Sequence, residues 1–319
     1  MAVVVGIDEA GYGPLLGPLV VSSAAFEIPD SLLKADMWGL LTDSVGKQRA
    51  KLFGRLLIND SKQAYNKAIG ITHLQRTVLA TLKCLGQDPQ TIAELLWMLC
   101  PDCLSRLGGY PWYQRLDLCK LDVGRADVAV AADVFSKNLA KHDMRVLWLK
   151  SCCLDVAYYN RMVENVRNKS DVLFTAAASL IQHAFNNLNL GTLQILVDRQ
   201  GGRTNYTAGL RKMFPELSLS VLQEDDNDSS YELKGGDKTM RIHFVVGADE
   251  RFLPVSLASM VCKYVRELLN ARMNEYFVSF NPELRPTAGY WKDGKRFVED
   301  LKTHLPKLSY DRHQLIRIK

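Results

Sequence analysis

The stretch "VVVGIDEAGYGPLLGPLVV" (residues 3–21) decides how the chain is read. A short, unbroken apolar run predicts a buried strand over residues 2–7. That strand runs straight into two adjacent carboxylates, Asp8 and Glu9. A loop with Gly11, Gly13 and Gly17 follows, and "PLVVSSAAFEI" (18–28) predicts a second strand, paired antiparallel to the first across the loop. Glycines at such a place let backbone come close to a ligand. Two acids at the mouth of a buried strand need a reason to be there.

The chain of 319 residues is 47% apolar and 24% charged, which supports a sizeable core and argues against disorder. A net charge of +5 is compatible with a polyanionic partner without identifying one. The opening "MAVVVGIDEAG" has no basic leader, and no run approaches the ~20 apolar residues of a membrane span, so a cytoplasmic protein is expected; a monomer is expected as well. The seven cysteines read as thiols. Cys100 and Cys103 form one CxxC, flanked by Cys84 and Cys119. A zinc site would ordinarily show two close pairs, so packing thiols are the preferred reading. Cys152 and Cys153 should point to opposite faces of a strand.

Farther along, Asp60 or Ser61 predicts the N-cap of a helix, and helical spacing recurs over 71–86, 89–100 and 126–143. A strand is predicted over 144–156 and a long helical stretch over 158–188. A strand "LQILVDRQGG" (193–202) carries Asp198. Residues 220–250 read as a strand, an acidic loop "EDDND" (224–228), and a strand ending at Asp249. Helices follow over 252–277 and 293–305. This alternation predicts an α/β fold with a mixed central sheet flanked by helices. The whole chain reads as one catalytic domain, with a helical insertion over about 70–145 and a C-terminal helical segment over about 268–319. No Walker loop, no G-x-G-x-x-G and no histidine ligand spacing is present.

Three predicted strands thus end on acids: Asp8-Glu9, Asp198 and Asp249. Strand ends of α/β proteins gather on one edge of the sheet, where ligands bind. Four carboxylates there repel one another and call for a counter-charge. Oxygen donors without His or Cys suit a hard cation, Mg²⁺ or Mn²⁺. A carboxylate cage of that kind serves in-line attack on a phosphodiester.

The motif DEAGYGP, followed by Gly17-Pro18, resembles the opening motif of the type 2 ribonucleases H, the ribonuclease HII group. "NDSK" (59–62), "ILVDRQ" (195–200), "GADERFLPVSLASMVCKYVRE" (247–267) and "PTAGYWKDGKRFVEDL" (286–301) are similar to further elements of that family, in the same order. The resemblance implies a ribonuclease H-like fold and a Mg²⁺- or Mn²⁺-dependent endonuclease. Its substrate would be an RNA–DNA hybrid or a ribonucleotide embedded in duplex DNA. It assigns metal binding and catalysis to Asp8, Glu9, Asp198 and Asp249. Gly11, Tyr12 and Gly13 would approach the sugar-phosphate, Tyr290 would pack on the ribose, and Ser61, Lys62 and Lys263 would hold phosphates.

Two departures matter. Tyr12 stands where the family has Arg or Lys, and Gly247 stands where it has Lys. Each removes a cation, which leaves open a nuclease with another sugar or structure preference, or a relative that binds without cutting. Arg199 and Arg203 could replace the missing charge; otherwise they are solvated surface residues. The acidic loop should point away from a phosphate channel. Glu267 should pair with a neighbouring Arg or Lys rather than serve as a fifth acid, and "YPWYQR" (110–115) should pack rather than stack on bases.

Overall fold

The computed structural model describes residues 1–65, 70–187 and 191–318. Positions 66–69 of the helix expected from Asp60 or Ser61, position 188, and position 319 lie outside them.

β1 (Ala2–Ala10) and β2 (Leu19–Ile28) pair antiparallel, Ala2 opposite Ile28 and Ala10 opposite Val20. After α1 (Met37–Leu40), the two-residue strands β3 (Val45–Gly46) and β4 (Leu56–Leu57) pair with each other. Helices fill the next part: α2 (Ser61–Ala64), α3 (Thr72–Cys84), α4 (Ile92–Leu99), α5 (Leu104–Leu107) and α6 (Arg125–Ala140). They share one apolar core with the central helix described below, so residues 72–140 pack against the sheet rather than standing apart. Tyr110, Trp112 and Tyr113 are buried in that core, in keeping with packing.

β5 (Arg145–Leu154) lies against β2 and places Cys152 and Cys153 on opposite faces, in two separate core clusters. The helical stretch expected over 158–188 is instead two helices, α7 (Val156–Val166) and α8 (Lys169–Asn186). Arg167 is left-handed (φ 53°), and the Asn168 side chain accepts from the Ser170 N–H at 2.9 Å, so a local cap outcompetes continued helix.

β6 (Gly191–Asp198) leads through α9 (Thr207–Met213) to a meander of β7 (Ser218–Glu224), β8 (Asp228–Gly235) and β9 (Lys238–Val245). The expected strand–loop–strand is therefore three strands. The acidic stretch is the tight turn joining β7 and β8, and a second turn at Gly236-Asp237 adds the strand that composition hid. α10 (Ala248–Arg251), α11 (Leu253–Phe280), α12 (Trp291–His304) and α13 (Arg312–Leu315) complete the chain. Position 268 falls inside α11.

The sheet order is β5-β2-β1-β6-β9-β8-β7, with β1, β6 and β9 parallel neighbours and the outer pairs antiparallel. One face packs on α8; the other packs on α11, which crosses β1 and β2 and is buried along most of its length. Gly6 explains how closely α11 sits. A Cβ there would lie 2.1 Å from the Pro254 carbonyl carbon and 2.2 Å from the Val255 nitrogen. Only a residue without a side chain lets this helix start on this strand.

Candidate metal and nucleic-acid site

Parallel pairing brings the acids together. Ile7 lies opposite Val197, so Asp8 and Asp198 end adjacent strands on the same edge. Asp8 and Glu9 are not beyond the strand but in its last three residues, paired with Ser22 and Val21. Alternation puts Asp8 on the face of Val4 and Gly6, against α11, and Glu9 on the opposite face. Asp249 departs from expectation. β9 stops at Val245, Gly247 turns the chain with φ 63°, and Asp249 sits in the single turn of α10. Asp198 fixes that turn by accepting from the Ala248 N–H at 2.8 Å, and the Ser256 hydroxyl donates to the Asp249 carbonyl from α11.

The four carboxylates sense one another. Asp8 is 6% exposed, and burial drives its pKa well above the usual carboxylate range, with Glu9 and Asp198 adding repulsion. Glu9 is pushed up to about 8 by burial, then by Asp198 and Asp249. Asp249 is pushed up to about 7 by burial, Asp198 and Asp60. Asp198 is raised by burial, against the backbone hydrogen bond from Ala248. Desolvated like charges cannot all stay ionised without a cation.

Asp60 is a fifth acid, which the sequence offers as a helix cap and as part of the "NDSK" element but not as a site residue. It does cap α2, accepting from the Lys62 N–H at 3.0 Å, yet its carboxyl also lies near Asp249 and raises that residue's pKa. Lys62 is the counter-charge at this edge. Its ammonium lies 3.8 Å from Asp60 and is raised in pKa by Asp60, Asp249, Asp8 and Asp198. Ser61 faces inward, with its hydroxyl 3.1 Å from Ser259 of α11, which in turn hydrogen-bonds Asp8. Among the described residues, no three His, Cys, Asp or Glu side chains stand as a closed metal-ligand group. The fit to a hard cation is therefore one of chemistry, buried oxygen donors with excess negative charge, and not of a finished cage.

The glycine loop is held from three sides. Gly11 has φ 96°, and a Cβ there would meet the Pro18 carbonyl oxygen at 2.6 Å and Arg266 at 2.7 Å. Arg317 donates to the carbonyls of Gly11 and Tyr12, and the Leu15 and Leu16 N–H groups both donate to the Gly289 carbonyl. Arg266, 1% exposed, donates to the Ala288 carbonyl at 3.1 Å and lies 5.7 Å from the Tyr290 ring. Arg317 lies in no motif; Arg266 falls within the 247–267 element, which assigned it no role in holding the loop. Tyr290 is 54% exposed beside this loop, and Gly13 is exposed with open space around it.

Other expected residues are placed differently. Lys263 is paired with Glu267 at 2.6 Å and lies over the Tyr65 ring, so it is not a free phosphate ligand. Glu267 also pairs with Arg266 at 3.4 Å, as expected of it. Arg199 neither replaces the missing cation nor faces solvent. It is 9% exposed and donates to the Asp225 and Asp226 carbonyls and to Ser229, which locks the acidic turn. Arg203 pairs with Asp171. The acidic turn lies at the same end of the sheet as the acids. Asp228 pairs with Val245, which pairs with Asp198, so the turn occupies the same sheet edge, two strands out. All seven cysteines are free, with Cys100 and Cys103 sulfurs 3.5 Å apart.

No protein-family model matches the sequence, and no curated protein is similar to it. Among solved structures, the chain is similar to one from the PCNA–RNase HII complex of Archaeoglobus fulgidus at 14% identity, covering 99% of this chain and 94% of that one with a TM-score of 0.44. It is similar to ribonuclease H2 from Pyrococcus horikoshii at 16% identity, covering 99% and 92% with a TM-score of 0.45. It is also similar to Bst-RNase HIII in complex with Mn²⁺ at 11% identity, covering 99% and 66% with a TM-score of 0.43.

Proposed function

We propose that this chain is a metal-dependent endonuclease of the type 2 ribonuclease H kind. It hydrolyses the phosphodiester beside a ribonucleotide, in the RNA strand of an RNA–DNA hybrid or at a ribonucleotide embedded in duplex DNA. The observation that carries the reading is the convergence of Asp8, Glu9, Asp198 and Asp249 at one sheet edge, with pKa values raised by burial and, for Asp8, Glu9 and Asp249, by one another's charge. The motif resemblance supplies the substrate class.

Asp8, Glu9, Asp198 and Asp249 would hold Mg²⁺ or Mn²⁺, with Asp60 beside them. A cation held by these residues would lower the pKa of bound water and neutralise charge on the phosphate. The protein's own part is placement. Ser259 and the Glu9 N–H orient the Asp8 carboxylate. Lys62 and the Gly11–Gly13 backbone steady the strand without reading sequence. Tyr290, exposed next to the clamped loop, can lie against a ribose and sense its 2′-OH, which only RNA carries.

Tyr12 favours a second reading, a nuclease with altered sugar preference, because it brings no charge to the loop. One experiment separates the readings. Three labelled duplexes (DNA with one ribonucleotide, a full hybrid, all-DNA) are incubated with the protein and Mg²⁺ or Mn²⁺. Cutting at the ribonucleotide or along the RNA strand supports the proposal. Cutting of the all-DNA duplex alone supports the second reading. Binding without cutting of any duplex overturns both.

A further inference from the structure

Beside the glycine loop lies a cavity of about 330 Å³ that the reading above does not use. Its walls are Tyr12, Gly13, Tyr159, Lys169, Trp291 and Arg317, and no acidic side chain lines it among the described residues. Three of these walls are aromatic and two are cationic. Lys169 is the first residue of α8, an 18-residue helix, so its ammonium adds to the positive end of the helix. That ammonium lies 5.3 Å from the Tyr12 ring centre.

Arg317 supplies an independent observation. It is 4% exposed, its terminal nitrogens are used on the Gly11 and Tyr12 carbonyls, and its Nε has no hydrogen-bond partner. A buried guanidinium N–H left unpaired costs free energy unless something accepts from it. Trp291 is 38% exposed at the rim, with the Lys295 ammonium 4.3 Å from its ring. A flat apolar surface beside a cluster of cations suits a flat ring joined to an anion.

We infer that this cavity takes a nucleoside phosphate, its phosphate at Lys169 and Arg317 and its base against Trp291 and Tyr12. Because the loop that forms one wall begins two residues after Glu9, the natural source is a nucleotide of the bound strand flanking the cleaved link. That identification rests on the nuclease reading; the chemistry of the cavity does not. A base–aromatic contact contributes about 1–3 kcal/mol and is indifferent to sequence. Lys169 thereby brings back, from α8, the positive charge that Tyr12 does not carry.

The test is fluorescence anisotropy of a labelled duplex bearing one ribonucleotide, with Ca²⁺ in place of Mg²⁺ so that binding is read without turnover. Lys169→Glu and Trp291→Ala are compared with the parent and with Lys34→Glu, an exposed change remote from the cavity. Lys169→Glu should weaken binding about tenfold or more and lower the salt slope by about 1, Trp291→Ala should weaken it about threefold or more, and Lys34→Glu should stay within about twofold. Circular dichroism melts confirm that the variants fold. Adenosine 5′-monophosphate titrated by calorimetry reports the free-ligand source. If the parent binds duplex and Lys169→Glu binds it equally well, the cavity assignment is overturned and the nuclease reading stands. If the parent ignores duplex but binds the mononucleotide, and Lys169→Glu does not, the cavity assignment stands and the nuclease reading falls. If the parent binds neither, both fall.

Discussion

Replacing Glu9 by Gln should make the metal-free protein more stable, although it removes a residue of the proposed site. Glu9 is displaced from 4.5 to about 8, so in the folded state it binds its proton far more tightly than in the unfolded chain. Between pH 4.5 and 8 the folded state therefore holds more protons, and stability falls as pH rises through that window. At pH 8 the displacement corresponds to about 4 kcal/mol of destabilisation, and at pH 5 to about 1 kcal/mol. A buried amide keeps part of the desolvation cost, so the net gain for Glu9→Gln should be about 2–4 kcal/mol at pH 8. In a chain of this length that is a rise in Tm of about 3–6 °C. At pH 5 the rise should shrink to about 1–2 °C. The assay is thermal unfolding in EDTA at both pH values, repeated at pH 8 with excess Mg²⁺, where the parent should recover most of the difference. A variant no more stable than the parent at pH 8, or equally stabilised at both pH values, would refute the reasoning.

Three further outcomes follow from the geometry. Gly6→Ala drives a methyl to 2.1 Å from the Pro254 backbone, so α11 must retreat by about 1 Å; stability should drop about 3 kcal/mol in urea melts, with Ser256 and Ser259 pulled from the acids. Lys62→Met removes the cation that lowers Glu9 and Asp249, so the acid limb of the pH–rate profile should move to higher pH, read from kcat/KM between pH 5 and 9. Arg199→Ala should cost about 1–2 kcal/mol in denaturant unfolding, because it removes a buried side chain that ties the exposed acidic turn to the sheet, while Mn²⁺ affinity stays within about twofold of the parent.

The parts of this architecture that were legible share a cause. β1 and β2 announce themselves because an apolar run, two acids and a glycine loop are all local signals. Asp198 is legible for the same reason. Asp249 is legible as a residue but not as a helical one, because only the Asp198–Ala248 hydrogen bond makes a turn of α10 out of what reads as a strand end. Asp60 stands in the "NDSK" element, but its N-cap role accounts for it locally, so its place beside Asp249 is not legible. Arg266 and Arg317 act on backbone carbonyls far away in sequence, and no local pattern records such a contact. Arg199 was misjudged since a charge beside glycines looks exposed, whereas the β7–β8 turn closes over it. The break at Arg167-Asn168 was overlooked although Asn168 is a strong capping residue.

The account stands on the acids of β1, β6 and α10 binding hard cations together. Calorimetric titration of Mn²⁺ into metal-free protein at pH 8 measures this without any substrate. The parent should bind with proton release, and Asp8→Asn and Asp198→Asn should each lose about tenfold or more in affinity. Equal Mn²⁺ binding by the parent and both variants would contradict it.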